Sequence, residues 1–286
     1  MSSDASNAPV NQHATEVARG ERFEFGKNWQ RFLSSLNDQR IEIAENSLKE
    51  KLGVSDLAGQ RFLDIGSGSG LFSLAARRLG ANVHSFDYDP QSVACTAELK
   101  RRYFPDDPNW VIEPGSALDQ EYLASLGKYD VVYSWGVLHH TGDMWRALEY
   151  AAIPVAHDGK LFISIYNDQG GSSRRWRKVK RAYNRAPKGM KFLILWPVFL
   201  WTWAPQFILD TVRHGNPLQK WFAYRKNRGM SPWHDVVDWA GGYPFEVAKP
   251  EQIFDFYRER NFELIKLKTC GGSLGCNEFV FIYRGG

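Results

Sequence analysis

Three glycines at alternate positions, Gly66, Gly68 and Gly70, stand with Ser67 and Ser69 between them and Asp64 two residues before. Glycine accepts positive φ and leaves the backbone bare, so such a run turns tightly and lets a ligand touch main-chain amides. A second acid, Asp87, follows about 20 residues later with Tyr88 next to it, at the distance where a carboxylate accepts hydrogen bonds from ribose hydroxyls. Further on, His139 and His140 are adjacent. An imidazole with an ordinary pKa near 6.5 can take a proton from a hydroxyl at neutral pH. Adjacent side chains do not point the same way, so at most one of the pair serves. The chemistry available is nucleotide binding plus proton acceptance.

The elements around these residues alternate strand and helix. Phe62 to Ile65 is an apolar strand, and Leu71 to Arg78 forms helix directly after the glycines. A second strand, Asn82 to Phe86, delivers Asp87. Asp89-Pro90 starts a helix to Tyr103, and Pro105-Asp106-Asp107-Pro108 breaks it. A third strand, Trp110 to Glu113, leads to Gly115-Ser116-Ala117-Leu118-Asp119. A fourth, Tyr129 to Ser134, opens onto Trp135 and the histidines. The fifth, Leu161 to Tyr166, follows the Asp158-Gly159 turn, and its unbroken apolar run suits a strand covered on both faces. This order predicts an α/β, doubly wound, mostly parallel Rossmann-like sheet.

The segment Leu63-Asp64-Ile65-Gly66-Ser67-Gly68-Ser69-Gly70, with Asp87, resembles the first two motifs of class I S-adenosylmethionine-dependent methyltransferases. The spacing is G-x-G-x-G, and Leu71 occupies the place of the third glycine of a dinucleotide site. The resemblance implies that S-adenosyl-L-methionine is the cofactor. Gly66, Gly68 and Gly70 would admit its methionine part, Asp87 would hold its ribose hydroxyls and Ser116 and Ala117 would border its adenine; Ser67 and Tyr88 would also bind it, and Asp64 would orient the turn's amides or meet a cationic group. Ser134 and Trp135 would face the methyl donor, and Trp29, itself a cofactor-binding candidate, would belong with Phe25 and Asn28 to a lid that closes over cofactor and substrate. It also implies a terminal antiparallel hairpin, matched by Leu264 to Thr269 and Glu278 to Tyr283. Leu138-His139-His140 is similar to a segment of ubiquinone-biosynthesis-type O-methyltransferases, where an acid–histidine pair is usual. His139 replaces the acid, so metal-assisted chemistry does not carry over and no metal is expected. His140 matches the family histidine as general base.

Ser134-Trp135-Gly136 stands where amino-group methylases of nucleic-acid bases carry Asn/Asp-Pro-Pro-Tyr/Phe. A small-molecule or lipid-like hydroxyl acceptor, such as a quinol or polyprenyl compound, fits better. Two other classes share the frame: an NAD-dependent oxidoreductase, and a SAM-binding module without turnover. His234 and Asp238 are secondary candidates for base or anchor in Trp233 to Glu246, which reads as a loop.

The 286 residues suffice for one such domain plus an insertion, and 43% hydrophobic with 24% charged residues is ordinary for a soluble globular protein. The expected divisions are a disordered leader (1–18), an N-terminal helical lid (19–60), the cofactor-binding core (61–171), a helical insertion (172–230) and the rest of the core (231–286). Three cysteines without C-x-x-C indicate a reducing cytoplasm, and the polar leader lacks a secretory pattern. The insertion joins a basic run, Arg174 to Arg181, to an apolar stretch, Met190 to Leu209. That stretch has nearly the length of a membrane span. Strands on both sides of it must pair in one sheet, so a single crossing is excluded. It either caps the site or lies on an anionic membrane surface, which would make the protein peripheral. Nucleic acid is disfavoured, since net charge is only +4 and the aromatics form an apolar block apart from the basic run. Neither the identity of the acceptor nor the oligomeric state is written in the chain.

Overall fold

The computed structural model describes residues 12–34, 36–216, 232–272 and 274–285. Seven strands, β1 (Arg61–Ile65), β2 (Asn82–Asp87), β3 (Trp110–Pro114), β4 (Tyr129–Trp135), β5 (Val155–Tyr166), β6 (Phe262–Lys268) and β7 (Cys276–Tyr283), form one sheet. Their order is β3-β2-β1-β4-β5-β7-β6, and β7 runs antiparallel to both neighbours. Winding reverses between β1 and β4, so a crevice opens at the carboxyl ends of these strands, where ligands of doubly wound sheets bind.

Alternation along the strands feeds two cores. Phe62, Val131 and Phe162 point to α3 (Asp38–Leu52), α4 (Leu71–Arg78) and α5 (Pro90–Tyr103), meeting Ile41, Leu74 and Leu99. Leu63, Val132 and Ile163 point oppositely, to α6 (Gln120–Ser125), α7 (Met144–Ala152) and α11 (Pro250–Arg258), meeting Leu123, Leu148 and Ile253. Each such side chain contributes roughly 1.5–3 kcal/mol by leaving water. The helix α5 begins as its sequence requires: Asp89 accepts from the Gln91 amide and Pro90 takes the first turn.

Two expectations change. Residues 12–18, read as disordered leader, form a helix (α1) whose His13 is buried. It is held by long-range contacts that its polar composition does not announce. The segment Trp233 to Glu246, read as a loop, is helical over Pro232–Gly241 (α10), because Val236 and Ala240, four residues apart, share a buried face. That face packs on α8 (Gly171–Arg185) and α9 (Phe192–His214) around Tyr183, Leu195, Val198 and Trp203. The basic residues of the insertion beyond Asn216 lie outside the described residues.

The three helices stand on a closed stem. The Ala248 amide donates to the Tyr166 carbonyl (3.0 Å) and the Asp168 amide donates to the Ala248 carbonyl (3.2 Å). Entry and exit of the insertion are thus hydrogen-bonded to each other.

Candidate active site

The glycine loop is pinned to the end of β2. The Gly66 and Ser67 amides donate to the Phe86 carbonyl (2.9 and 3.0 Å), and the Gly68 amide donates to Asp87 Oδ2 (2.9 Å). Asp87 Oδ1 accepts from the Asp89 amide at 2.9 Å. Gly66, Gly68 and Gly70 have φ of 78°, 56° and 78°. A Cβ on Gly66 would lie 2.4 Å from Val137 Cγ1, and one on Gly70 2.8 Å from Thr96 Cα. These two glycines let the β4 turn and α5 approach. At Gly68 a Cβ would sit 3.1 Å from the Trp29 indole, in the gap between loop and lid.

Asp64 lies at the end of a buried hydrogen-bond chain. Trp110 Nε1 donates to Ser85 Oγ (3.0 Å), Ser85 to Ser73 Oγ (2.8 Å), and Ser73 to Asp64 Oδ2 (2.5 Å). Burial pushes the Asp64 carboxyl up to about 7, opposed by the Ser73 hydroxyl. Burial likewise pushes Asp87 up to about 6, against the Asp89 and Gly68 amides.

Around these groups opens a cavity of about 1600 Å³. A single small ligand typically occupies about 300–1,000 Å³, so a cofactor and an acceptor fit together. Asp64, Gly66, Ser67, Gly68, Asp87, Tyr88, Ser116, Ala117, Trp135, Trp29 and His140 all line it. Gly70, Ser134 and His139 do not. Gly70 is packed on α5, and Ser134 Oγ turns to the Ile65 carbonyl (3.0 Å), tying β4 to β1. His139 is fully buried, and its Nδ1 accepts from the Tyr166 amide (3.3 Å). Asp119 caps α6 through the Tyr122 amide. The side chains of Asn28, His234 and Asp238 lie outside the described ones.

His140 faces the other half of the cavity. Its Nδ1 donates to the Pro244 carbonyl (2.5 Å), which fixes the tautomer and leaves Nε2 with the lone pair. Burial pushes the ring down to about 3, partly offset by that hydrogen bond. Phe25 (4.9 Å between ring centroids) and Tyr166 (5.5 Å) flank it. Trp176, Trp203 and Trp239 of the inserted helices complete an aromatic chamber.

A lid, made of α1, the segment after it and α2 (Gly26–Ser34), crosses the opening. Arg22 donates to Glu16 (2.7 Å) and to the carbonyls of His140 (3.0 Å) and Thr141 (3.3 Å), and lies 4.8 Å over the Tyr88 ring. His13 approaches Asp89 (3.8 Å), and the Gly26 amide donates to the same carboxylate (2.8 Å). Arg22, Tyr166 and Tyr133 were not singled out by the sequence motifs. For Tyr133 a signal existed, a hydroxylated aromatic inside an apolar strand.

These residues fit an adenosyl amino-acid cofactor: a bare-backbone loop, a carboxylate at the end of β2 and a second buried carboxylate at β1 suit its phosphate-free, cationic character. A family profile described as "Methyltransferase domain" matches residues 29–216, about two-thirds of the chain. A ubiquinone biosynthesis O-methyltransferase of Xanthomonas oryzae pv. oryzae is 29% identical over 171 residues, covering 58% of this chain and 67% of that protein. A ribosomal protein L11 methyltransferase of Methylococcus capsulatus is 44% identical over 71 residues, 24% of each chain. Among solved structures, magnesium protoporphyrin IX methyltransferase from Synechocystis PCC 6803 with bound SAH aligns with a TM-score of 0.50 at 14% identity, over 90% of this chain and 94% of that one. The [4+2]-cyclase SpnF aligns with a TM-score of 0.51 at 13% identity, over 86% and 82%. The fold alone therefore does not dictate the reaction.

Proposed function

Since the chain belongs to the methyltransferase-domain family and is a class I S-adenosylmethionine-dependent enzyme, we propose that it methylates a hydroxyl of an amphipathic, lipid-like acceptor with His140 as general base. The observation that carries this reading is the fixed tautomer of His140. A carbonyl can only accept, so Nδ1 keeps its proton and Nε2 is the accepting side of a ring that lines the cavity. Burial keeps the ring neutral, and so able to accept, at any pH above about 3, while making it a weaker base than a free imidazole.

S-adenosylmethionine, when bound, supplies a methyl group on a positively charged sulfur that departs as a neutral thioether. His140 would hold the acceptor's hydroxyl proton at Nε2 and take it up as the oxygen is methylated, the thioether leaving neutral. Phe25, Tyr166 and Trp239 exclude water and favour a flat or apolar acceptor. His140→Ala should lower kcat by about 10²–10⁴ while leaving affinity for S-adenosylhomocysteine intact. Thioether release with a panel of lipid phenols and quinols measures this. Near-normal turnover in the variant would refute the role.

We further propose that the acceptor arrives from an anionic membrane leaflet on which α9 rests, at the cytoplasmic face. Leu193 (54% exposed), Leu200 (54%) and Ile208 (67%) form an apolar outer surface on a helix of mean hydropathy 1.6. Exposed Arg174, Arg175, Lys178, Arg181 and Arg185 lie on the adjoining α8, and no acid occurs from Gly171 to Leu209. Apolar insertion beside a basic collar suits anionic headgroups. The pure protein should co-sediment with phosphatidylglycerol vesicles, and a Leu193→Ser, Leu200→Ser, Ile208→Ser variant should not. Equal sedimentation of both, or of neither, contradicts docking.

A further inference from the structure

No sequence motif gives Glu246 a task, yet it holds the loop that carries His140. Leu138–His140 is a single turn of 3-10 helix, closed by the His140 amide donating to the Val137 carbonyl (2.8 Å), and Gly142 follows with φ of 91°. A 3-10 turn is held by poorer hydrogen bonds than an α-helix and does not stiffen a loop by itself. Here the stiffness comes from the far end of the insertion. The Glu246 amide donates to the His139 carbonyl (3.0 Å), and Glu246 Oε2 accepts from the Gly142 amide (3.1 Å) and the Met144 amide (3.0 Å). Met144 opens α7, so the carboxylate also sits at the positive end of that helix.

The same short segment supplies the partner of the base. The Pro244 carbonyl, just before Phe245 and Glu246 in the chain, accepts from His140 Nδ1 (2.5 Å). Pro244 and Glu246 therefore grip residues 139, 140, 142 and 144 in succession. Bonds from carboxylate to backbone amide are roughly twice as strong as neutral ones, which makes the Glu246 side chain the strongest member of the grip. Two further bonds brace the segment from outside. Arg177 Nε on α8 donates to the Phe245 carbonyl (3.0 Å), and the Ala248 amide donates to the Tyr166 carbonyl (3.0 Å). The side-chain contacts of Glu246 span 104 and 102 residues of chain, so no local signal announces them.

We infer that Glu246 is a positioning residue for the proposed reaction: its carboxylate and amide seat the loop from Leu138 to Met144 against Pro244 and so aim Nε2 of His140 into the cavity. The inference rests on the reading of His140 as base. It gives the insertion, whose exit carries Pro244 and Glu246, a second task besides walling the acceptor chamber, that of setting the angle of the base.

The test is a double-mutant cycle between Glu246→Ala and His140→Ala, read as thioether release with the panel of lipid phenols and quinols. Misalignment of the base should lower kcat about 10- to 100-fold in the single Glu246→Ala variant and leave affinity for S-adenosylhomocysteine within about twofold. In the His140→Ala background the same substitution should cost less than about threefold, because no base remains to be aimed. Glu246→Gln, whose amide oxygen still accepts from both backbone amides, should restore kcat to within about fivefold of the wild type. If thermal unfolding shows that the alanine variant does not fold, Glu246→Asp draws the carboxylate back by about 1.5 Å and takes its place in the cycle. Unchanged kcat in the single variant, or the same fold-loss in both backgrounds, overturns the inference. The ¹⁵N NMR signals of the His140 ring need no acceptor and keep the two readings apart. Normal turnover in His140→Ala removes the base reading alone. A tautomer mixture in Glu246→Ala then still upholds the positioning, and an unchanged Nδ1–H tautomer overturns it.

Discussion

Affinity for S-adenosylhomocysteine should rise steeply from about pH 5.5 to about pH 8.5. The reason lies in Asp64 and Asp87, the two carboxyls that the cofactor reading assigns to the ligand. Asp64 is pushed up to about 7 and Asp87 up to about 6 in the empty cavity, both chiefly by burial. A neutral Asp64 cannot pair an ammonium, and a protonated Asp87 loses acceptor capacity toward the ribose hydroxyls. At about pH 5.5 a group titrating near 7 is ionised in roughly 3% of molecules, and one titrating near 6 in roughly a quarter. The losses are about 30-fold and about 4-fold, together on the order of 100-fold or roughly 3 kcal/mol. Calorimetry at constant ionic strength reads this directly. Asp87→Asn removes the smaller share, so its curve should keep about a 30-fold rise. Stability carries the same signature with the opposite sign. Both carboxyls titrate above their unfolded values, so their contribution to the empty protein is fully present below about pH 4 and is lost as pH rises through about 6 and 7. Ligand-induced gain in Tm should therefore be larger at about pH 8 than at about pH 5.5. A wild-type affinity that varies less than about threefold across this range would refute the assignment of Asp64 and Asp87 to the ligand.

Gly66→Ala forces a left-handed conformation on alanine and drives its methyl into Val137 Cγ1, so unfolding free energy should drop by about 2–5 kcal/mol. Adding Val137→Ala should raise the Tm of that variant by relieving the packing share; no recovery in thermal scans would show that strain alone is responsible. Lys180, fully buried on α8, donates to the Trp239 carbonyl in the last turn of α10 and lies over the Trp239 ring at 4.2 Å. Lys180→Met should loosen α8 and α10 by about 1–3 kcal/mol, seen as faster hydrogen exchange there with the sheet unchanged. Uniform acceleration across the chain would count against this local role.

The glycine loop and the strand–helix frame around it were legible because their determinants are local. Gly66, Gly68 and Gly70 sit within one turn, and Asp89-Pro90 with Pro105 marks both ends of α5 in sequence. What escaped depends on contacts distant along the chain. Ser134 turns to Ile65, 69 residues away, and Asp64 is seated by a chain of groups reaching Trp110. Strand alternation constrains Ser134 to the face opposite Tyr133 and Trp135, but not which face meets the cavity. The helix over residues 12–18 has too few apolar residues to declare itself, and it is held by Glu16 to Arg22 and by His13 near Asp89. The aromatic content of Pro232–Gly241 disguised a short amphipathic helix.

The hydrogen-bonded stem between Tyr166, Asp168 and Ala248 has a consequence for how such a chain diversifies. The loop, strand-end and lid residues proposed for the methyl donor all precede residue 141, whereas most of the aromatic chamber is encoded between residues 166 and 245. Because the two ends of that second block are already tied together at the sheet, it can be exchanged as a cassette between parallel frames without shifting a strand. Under the proposed function, acceptor choice and donor chemistry would be encoded in separate stretches of the chain. A graft cut at Asn167 and Ala248 would be the natural unit for moving one acceptor preference onto another catalytic frame.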